Sequence, residues 1–323
     1  MLLVGMLLLG ACSDSADDSA VPRSTSTLPG GGDIDLAGAP QSFYAVRDPA
    51  PPPPGEPHRD TEIVEVETAT GRVLRTVVDI GPDREPGAER GDVPDALIQG
   101  LDLAPDGRTL WYGVLPGSVF QLALPEGTPE KIGAGHSPSV SPDGRRLAWI
   151  DGTTIRIRDL GDGTEQTLPE AFGLEGYDTT WSTDATKLAF LTGGADSFGV
   201  DTVDITTGRR IPPQSAGELS GSWYTPYSAR YRPSDGLLVV VCCGEIPDPP
   251  PDLVPPPSAF VFHDPATGAE RDRINLSIDP RAHDYDRNGA HHLVSTIEGD
   301  VYLERNGELI RIHEITGVSE LAW

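Results

Sequence analysis

Helix-forming signals are scarce in this chain. It has two methionines, two lysines (Lys131 and Lys187) among 24 basic residues, and no long stretch with apolar residues at a sustained helical period. In their place stand 37 glycines and 32 prolines, interleaved with Val, Ile, Thr and aromatics. That mixture favours short strands separated by turns, and excludes helical bundles. Positive charge is also short: 24 basic residues face 50 acidic ones, for a net charge of −26. So acidic a surface repels phosphate backbones, which excludes nucleic acid as a partner. It favours solubility, and cationic ligands or basic partner surfaces. No nucleophile elbow with Asp and His following it occurs, nor a phosphate loop or dinucleotide fingerprint.

What is present begins with Met1-Leu-Leu-Val-Gly-Met-Leu-Leu-Leu-Gly-Ala-Cys12. This apolar run is too short for a permanent membrane span and reads as the hydrophobic part of a signal peptide. Leu9-Gly10-Ala11-Cys12 resembles the bacterial lipobox, which implies cleavage before Cys12 and a diacylglyceryl group on its thiol. No Lys or Arg precedes the run, a departure from the usual signal peptide that leaves the true start open upstream. From Ser13 to Pro40 bulky apolar residues almost vanish, so the segment reads as a flexible tether. The expected organisation is a lipoprotein signal peptide over 1–11, a lipidated cysteine and tether over 12–40, and one folded domain over 41–323.

The two other cysteines are adjacent, Cys242 and Cys243. A vicinal disulfide would be strained, since neighbouring α-carbons lie about 3.8 Å apart, closer than disulfides prefer. Two reduced cysteines in a buried strand are the expectation, with the vicinal bond as the alternative.

The folded domain is repetitive. Leu101-Asp-Leu-Ala-Pro-Asp-Gly-Arg-Thr-Leu-Trp-Tyr112 matches Pro138-Ser-Val-Ser-Pro-Asp-Gly-Arg-Arg-Leu-Ala-Trp149, and more degenerate copies start at Thr179, Ala229 and His283. Each copy is a strand, a polar turn and a second strand. A second turn recurs between the first: Glu67–Gly71, Asp159–Gly163, Asp204–Gly208 and Asp264–Gly268, with weaker forms ending at Gly127 and Gly307. Two hairpins per repeat make a four-stranded antiparallel blade.

These residues resemble the WD40-like Pro-Asp repeats of TolB-type β-propellers, over most of residues 41–323. The resemblance implies an all-β propeller and an interaction role in the cell envelope, without naming a partner. There are six second turns but five first turns, and Val318-Ser-Glu-Leu-Ala-Trp323 supplies the missing innermost strand. It is expected to pair beside Phe43–Val46 and close a ring of six blades, which also protects the sheet edges.

In such a ring both kinds of recurring turn lie on one face. The long segments 49–60, 81–95, 169–176, 193–199, 211–222 and 245–257 lie on the other, two of them proline-rich. That loop-rich face is the expected binding surface. Aligned positions on the innermost strands carry Asp102, Ser139, Thr180, Arg230, Asp284 and Ala322, a polar row facing the central channel, where Asp102, Arg230 and Asp284 are candidate ligand-binding groups. Trp223, Tyr224, Tyr227 and Tyr231 form an aromatic cluster that either stacks a sugar or peptide or packs between blades, with Trp223 and Tyr227 as its candidate ligand contacts. Asp284, Asp286 and Asn288 have the spacing that opens a calcium loop, without the closing glutamate, and double as the fifth hairpin turn. His283, His291 and His292 lack partners at zinc-ligand spacing, and the last two point to opposite faces of a strand.

The expected protein is therefore a monomeric, lipid-anchored, extracytoplasmic propeller that binds an envelope protein or peptide without catalysis and without a required cofactor. The alternatives are a metal-dependent hydrolase or lactonase using channel carboxylates, and a propeller capturing a small ligand or glycan.

Overall fold

A computed structural model describes residues 24–25, 37–47, 61–80, 98–115, 117–168, 178–194, 197–211, 225–243, 257–305 and 308–323. The signal peptide with Cys12, and nearly all of the long connections on the loop-rich face, lie outside the described residues. Two residues of the expected tether do form a strand, β1 (Ser24–Thr25).

The rest of the described chain is six blades. Blade one holds β2 (Ser42–Arg47), β3 (Thr61–Glu67) and β4 (Val73–Ile80), with the C-terminal β25 (Val318–Ala322) as its innermost strand. Blade two is β5 (Ile98–Leu103), β6 (Thr109–Val114), β7 (Ser118–Ala123) and β8 (Glu130–Gly133). Blade three is β9 (His136–Val140), β10 (Arg146–Asp151), β11 (Thr154–Asp159) and β12 (Glu165–Leu168). Blade four is β13 (Thr179–Trp181), β14 (Lys187–Gly194), β15 (Ser197–Asp204) and β16 (Arg210–Ile211). Blade five is β17 (Thr225–Tyr231), β18 (Leu238–Cys243), β19 (Ala259–His263) and β20 (Glu270–Asn275), extended outward by β1. Blade six is β21 (Pro280–Tyr285), β22 (His292–Thr296), β23 (Val301–Arg305) and β24 (Glu308–Ile312). Closure is as expected: Tyr44 pairs with Ala322 and Ala45 with Leu321. Each innermost strand touches the next, and β25 touches β5.

Period-two geometry explains why the inner strands read as continuous apolar runs. Successive side chains point to opposite faces, and both faces of a blade are covered by neighbours. Phe43 and Ala45 pack toward blade six, whereas Tyr44 and Val46 pack toward blade two. In β18, Val239 and Val241 face blade six, while Val240 and Cys242 face blade four. The six apolar clusters are thus the six interfaces between blades.

The turns work as their residues predict. Asp143 Oδ1 accepts from Ser141 Oγ at 2.6 Å and from the Arg145 amide at 3.1 Å. In the second turn type the glycine amide donates to the carbonyl four residues back, as in Gly163 to Asp159 (2.9 Å) and Gly268 to Asp264 (2.7 Å). These glycines sit at φ 75° and 73°, which L side chains rarely adopt. In the first turn type Gly144 sits at φ 69°, and the degenerate third copy keeps that shape without the glycine: Ala185 occupies the equivalent site at φ 55°.

Candidate functional site: the channel ring

Strand alternation puts positions two residues apart on one face, so the channel face of each innermost strand carries more than the aligned row. Asp102, Arg230 and Asp284 do come together, joined by two residues that the alignment passed over, Asp178 and Glu320. Each lies two residues before a row position, Thr180 and Ala322. That period-two offset was the available signal.

The polar groups join blade to blade around the ring. Asp102 Oδ2 takes the Val140 amide of blade three at 2.6 Å. Thr179 Oγ1 and Trp181 Nε1 donate back to the carbonyls of Ser137 (2.8 Å) and Ser139 (2.9 Å). Asp178 Oδ2 takes Ser228 Oγ at 2.8 Å, the Ala229 amide at 3.1 Å, and the Arg230 guanidinium of blade five. Arg230 Nε reaches across to Asp284 Oδ1 of blade six at 3.7 Å. Asp284 Oδ2 takes the Trp323 amide beside blade one at 2.8 Å, and Glu320 takes the Gly100 amide of blade two. All six interfaces are bridged at the channel.

The side chains of Arg230, Asp178 and Asp284 are only 13%, 10% and 20% exposed, so the charges interact with little screening. Burial pushes Asp102 up to about 7, and the Asp284 carboxylate adds to it. Burial likewise lifts Asp284 to about 6, against the pull of Arg230. It lifts Glu320 to about 7, reinforced by Asp178. Burial works to deprotonate Arg230, but Asp178 and Asp284 outweigh it and hold the guanidinium charged. One buried cation, Arg230, among four carboxyls, with the exposed Arg281 also acting on Glu320, makes a cohesive, acid-leaning ring.

The other candidate groups are dispersed. Asp284 faces the channel, while Asp286 is buried in its own turn, accepting from the amides of Ala290 (2.7 Å) and His291 (3.2 Å) and pairing with His291 Nδ1 at 2.8 Å. Asn288 is exposed in that turn. The three residues of the calcium spacing are therefore not gathered, and the described residues contain no group of three His, Cys, Asp or Glu that could hold a metal. Cys242 is buried between blades four and five. Trp223 lies outside the described residues. Tyr227 packs toward blade six and Tyr231 toward blade four. Four residues apart, they would share a face in a regular strand, but a bulge between Pro226 and Ser228 reverses the alternation.

One pairing has no counterpart in the sequence reading. His283 Nδ1 lies 2.9 Å from His292 Nε2, and His292 Nδ1 lies 3.3 Å from Glu304. Phe260 and Tyr285 enclose the two rings, Tyr285 stacked on His292 at 4.1 Å. Burial depresses both imidazoles, His283 strongly and with help from His292. His291 points the other way, against Trp323.

No family model and no curated protein matches the chain. Solved structures do. TolB from Acinetobacter baumannii superposes with a TM-score of 0.60 at 17% identity, covering 87% of this chain and 66% of that one. A putative TolB from Agrobacterium tumefaciens gives 0.56 at 15%, covering 76% and 86%. A chain of a nidogen/laminin complex gives 0.61 at 12%, covering 87% and 97%. The chain has the TolB-like propeller fold.

Proposed function

We propose that this propeller is a non-catalytic, lipid-tethered platform in the bacterial cell envelope, outside the cytoplasmic membrane, which binds a protein or peptide through its loop-rich face. The observation that carries this reading is the commitment of the channel groups: Asp102, Asp178, Arg230, Asp284 and Glu320 are each engaged in bridging blades. Elaboration falls instead on one face. The described strand ends that the connections 48–60, 81–97, 169–177, 212–224 and 244–258 join point to that face, while the opposite face is built of tight hydrogen-bonded turns. Segments 169–177 and 244–258 contain acidic residues and no basic ones, which suits a partner with a basic surface. A protein complex containing a chain of this fold is consistent with the reading. The lipobox-like Leu9–Cys12 supports the anchor.

The test is affinity capture from envelope extracts with the intact protein and with variants in which 49–60 or 245–257 is shortened. A partner retained by the first and lost by the second, at unchanged melting temperature, supports the platform. Equal capture by both refutes the loop-rich face as the binding surface.

A hydrolase or lactonase reading has one observation in its favour, the channel carboxyls poised near neutral pH. Stoichiometric metal in the purified protein together with ester or lactone turnover, abolished by Glu320→Gln, would favour it over the platform.

A further inference from the structure

We infer that the interface between blades five and six is a pH-operated latch, closed by the His283–His292 contact and opened locally once both imidazoles are charged. The latch is independent of what the loop-rich face binds.

The hairpin β21–β22 presents both rings to blade five, where Tyr285 stacks on His292 at 4.1 Å and Phe260 of β19 lies 4.8 Å from it. His283 Nδ1 and His292 Nε2 are 2.9 Å apart, room for one shared hydrogen. A neutral imidazole carries one N–H and a charged one carries two. The contact therefore accommodates one added proton. His292 then donates from Nε2 to His283 and from Nδ1 to Glu304, 3.3 Å away, whose carboxylate is the counter-charge. It does not accommodate a second, because both facing nitrogens would carry hydrogens aimed at each other across 2.9 Å. The rings must part. His283 Nε2 is already buried without a hydrogen-bond partner, so the second charge gains nothing in place.

The surroundings do not offset two charges. From β17, Arg230 opposes charge on His283 and Arg232 opposes it on His292. Asp235, in the turn after β17, is paired with Arg232. Glu304 of β23 favours a charge on His292, and the Val239 carbonyl of β18 favours one on His283. Burial keeps the Tyr285 phenol neutral. Asp284 faces the channel from the same strand as His283, and burial lifts it to about 6. It therefore loses charge over the range in which the imidazoles gain theirs, and its attraction to Arg230 across this interface, at 3.7 Å, fades with it. Acid thus leaves Arg230, His283 and His292 as like charges against Glu304. Among the described residues no other blade interface holds two imidazoles in contact.

Burial depresses both imidazoles in the closed protein, and opening returns them toward about 6.5, so the open form gains as pH falls below that value. At pH 5 the gain is roughly 30-fold if the closed form holds one proton and roughly 1000-fold if it holds none.

The test is hydrogen exchange of the full chain at about pH 7.5 and about pH 5, corrected for intrinsic exchange rates. Protection of segment 280–296 should fall at least about tenfold more than that of segment 136–151 in blade three, and recover on return to the higher pH. Equal losses in the two segments mean general acid destabilisation and overturn the latch. His283→Gln keeps hydrogen-bonding capacity without a titratable ring and should abolish the difference; a difference that persists overturns the assignment to the pair. Should that variant fail to fold, Glu304→Gln at the partly exposed end of the chain of contacts decides. Loss of the counter-charge should move the opening midpoint of segment 280–296 to higher pH, and an unmoved or lowered midpoint overturns the latch.

Discussion

Replacing Arg230 with methionine tests whether the channel ring holds the blades together. The guanidinium is the one cation bridging Asp178 of blade four and Asp284 of blade six, and both partners are largely shielded from water. Methionine keeps the bulk of the stem but leaves two carboxylates facing each other without a counter-charge. Removing one member of a buried ion pair costs about 3–5 kcal/mol, which for a domain of this size lowers Tm by roughly 10 °C. The loss should depend on pH in a defined direction. Asp102, Asp284 and Glu320 already sit near 7, 6 and 7, above their unfolded values. Groups raised in this way weigh against the fold as pH climbs through that range and are harmless below it. Without Arg230 they rise further, so the deficit of Arg230→Met should be small below about pH 5, where both proteins keep these carboxyls protonated, and should grow as pH climbs through 6 and 7 and above. Thermal melts followed by far-UV circular dichroism across that range read it directly. A Tm within about 2 °C of the parent at neutral pH, less than 1 kcal/mol, would refute the clasp. So would a deficit that does not vary with pH.

The buried pair His283 and His292 should act in the opposite sense. Their depressed folded values mean that stability is lost as pH falls below about 6.5, where the unfolded imidazoles take up protons. His292→Leu should flatten that acid limb of the Tm–pH curve, and an unchanged limb would count against it. Gly100→Ala should be far more damaging than Gly107→Ala in denaturant titrations. Both sit at positive φ, but a Cβ at Gly100 would lie 2.4 Å from the Ser137 Cα of the next blade, whereas Gly107 has open space. Gly107→Ala should cost only the 1–2 kcal/mol or so of the left-handed backbone, and equal losses would undo the argument. Because the Asp286 carboxylate is already held by its own turn and by His291, EDTA should leave Tm unchanged, and a fall reversed by calcium would restore the calcium-loop reading.

Local order was legible in the residues because blades are made by local rules. Turn chemistry at Asp143-Gly144 or Asp264–Gly268 closes hairpins between neighbours in the chain, and alternation in Phe43–Val46 states that both faces are covered. Counting turns against strands was then enough to place Val318–Ala322 beside β2 and to arrive at six blades. Which polar groups meet across the channel depends instead on rotation about the ring axis, which brings positions 102, 178, 230, 284 and 320 together from five different blades. Single-residue bulges decide which face a side chain takes, and the one at Pro226/Ser228 divided Tyr227 from Tyr231 without leaving a mark in composition. His283 met His292 for a similar reason, since a diagonal contact across a hairpin depends on register and not on spacing. The sequence by itself determined the repeat, its turns and its closure, because these arise between residues close along the chain or from a simple count. Only the tertiary structure decided that the channel row is a set of bridges between blades, because that follows from how six sheets are angled against one another.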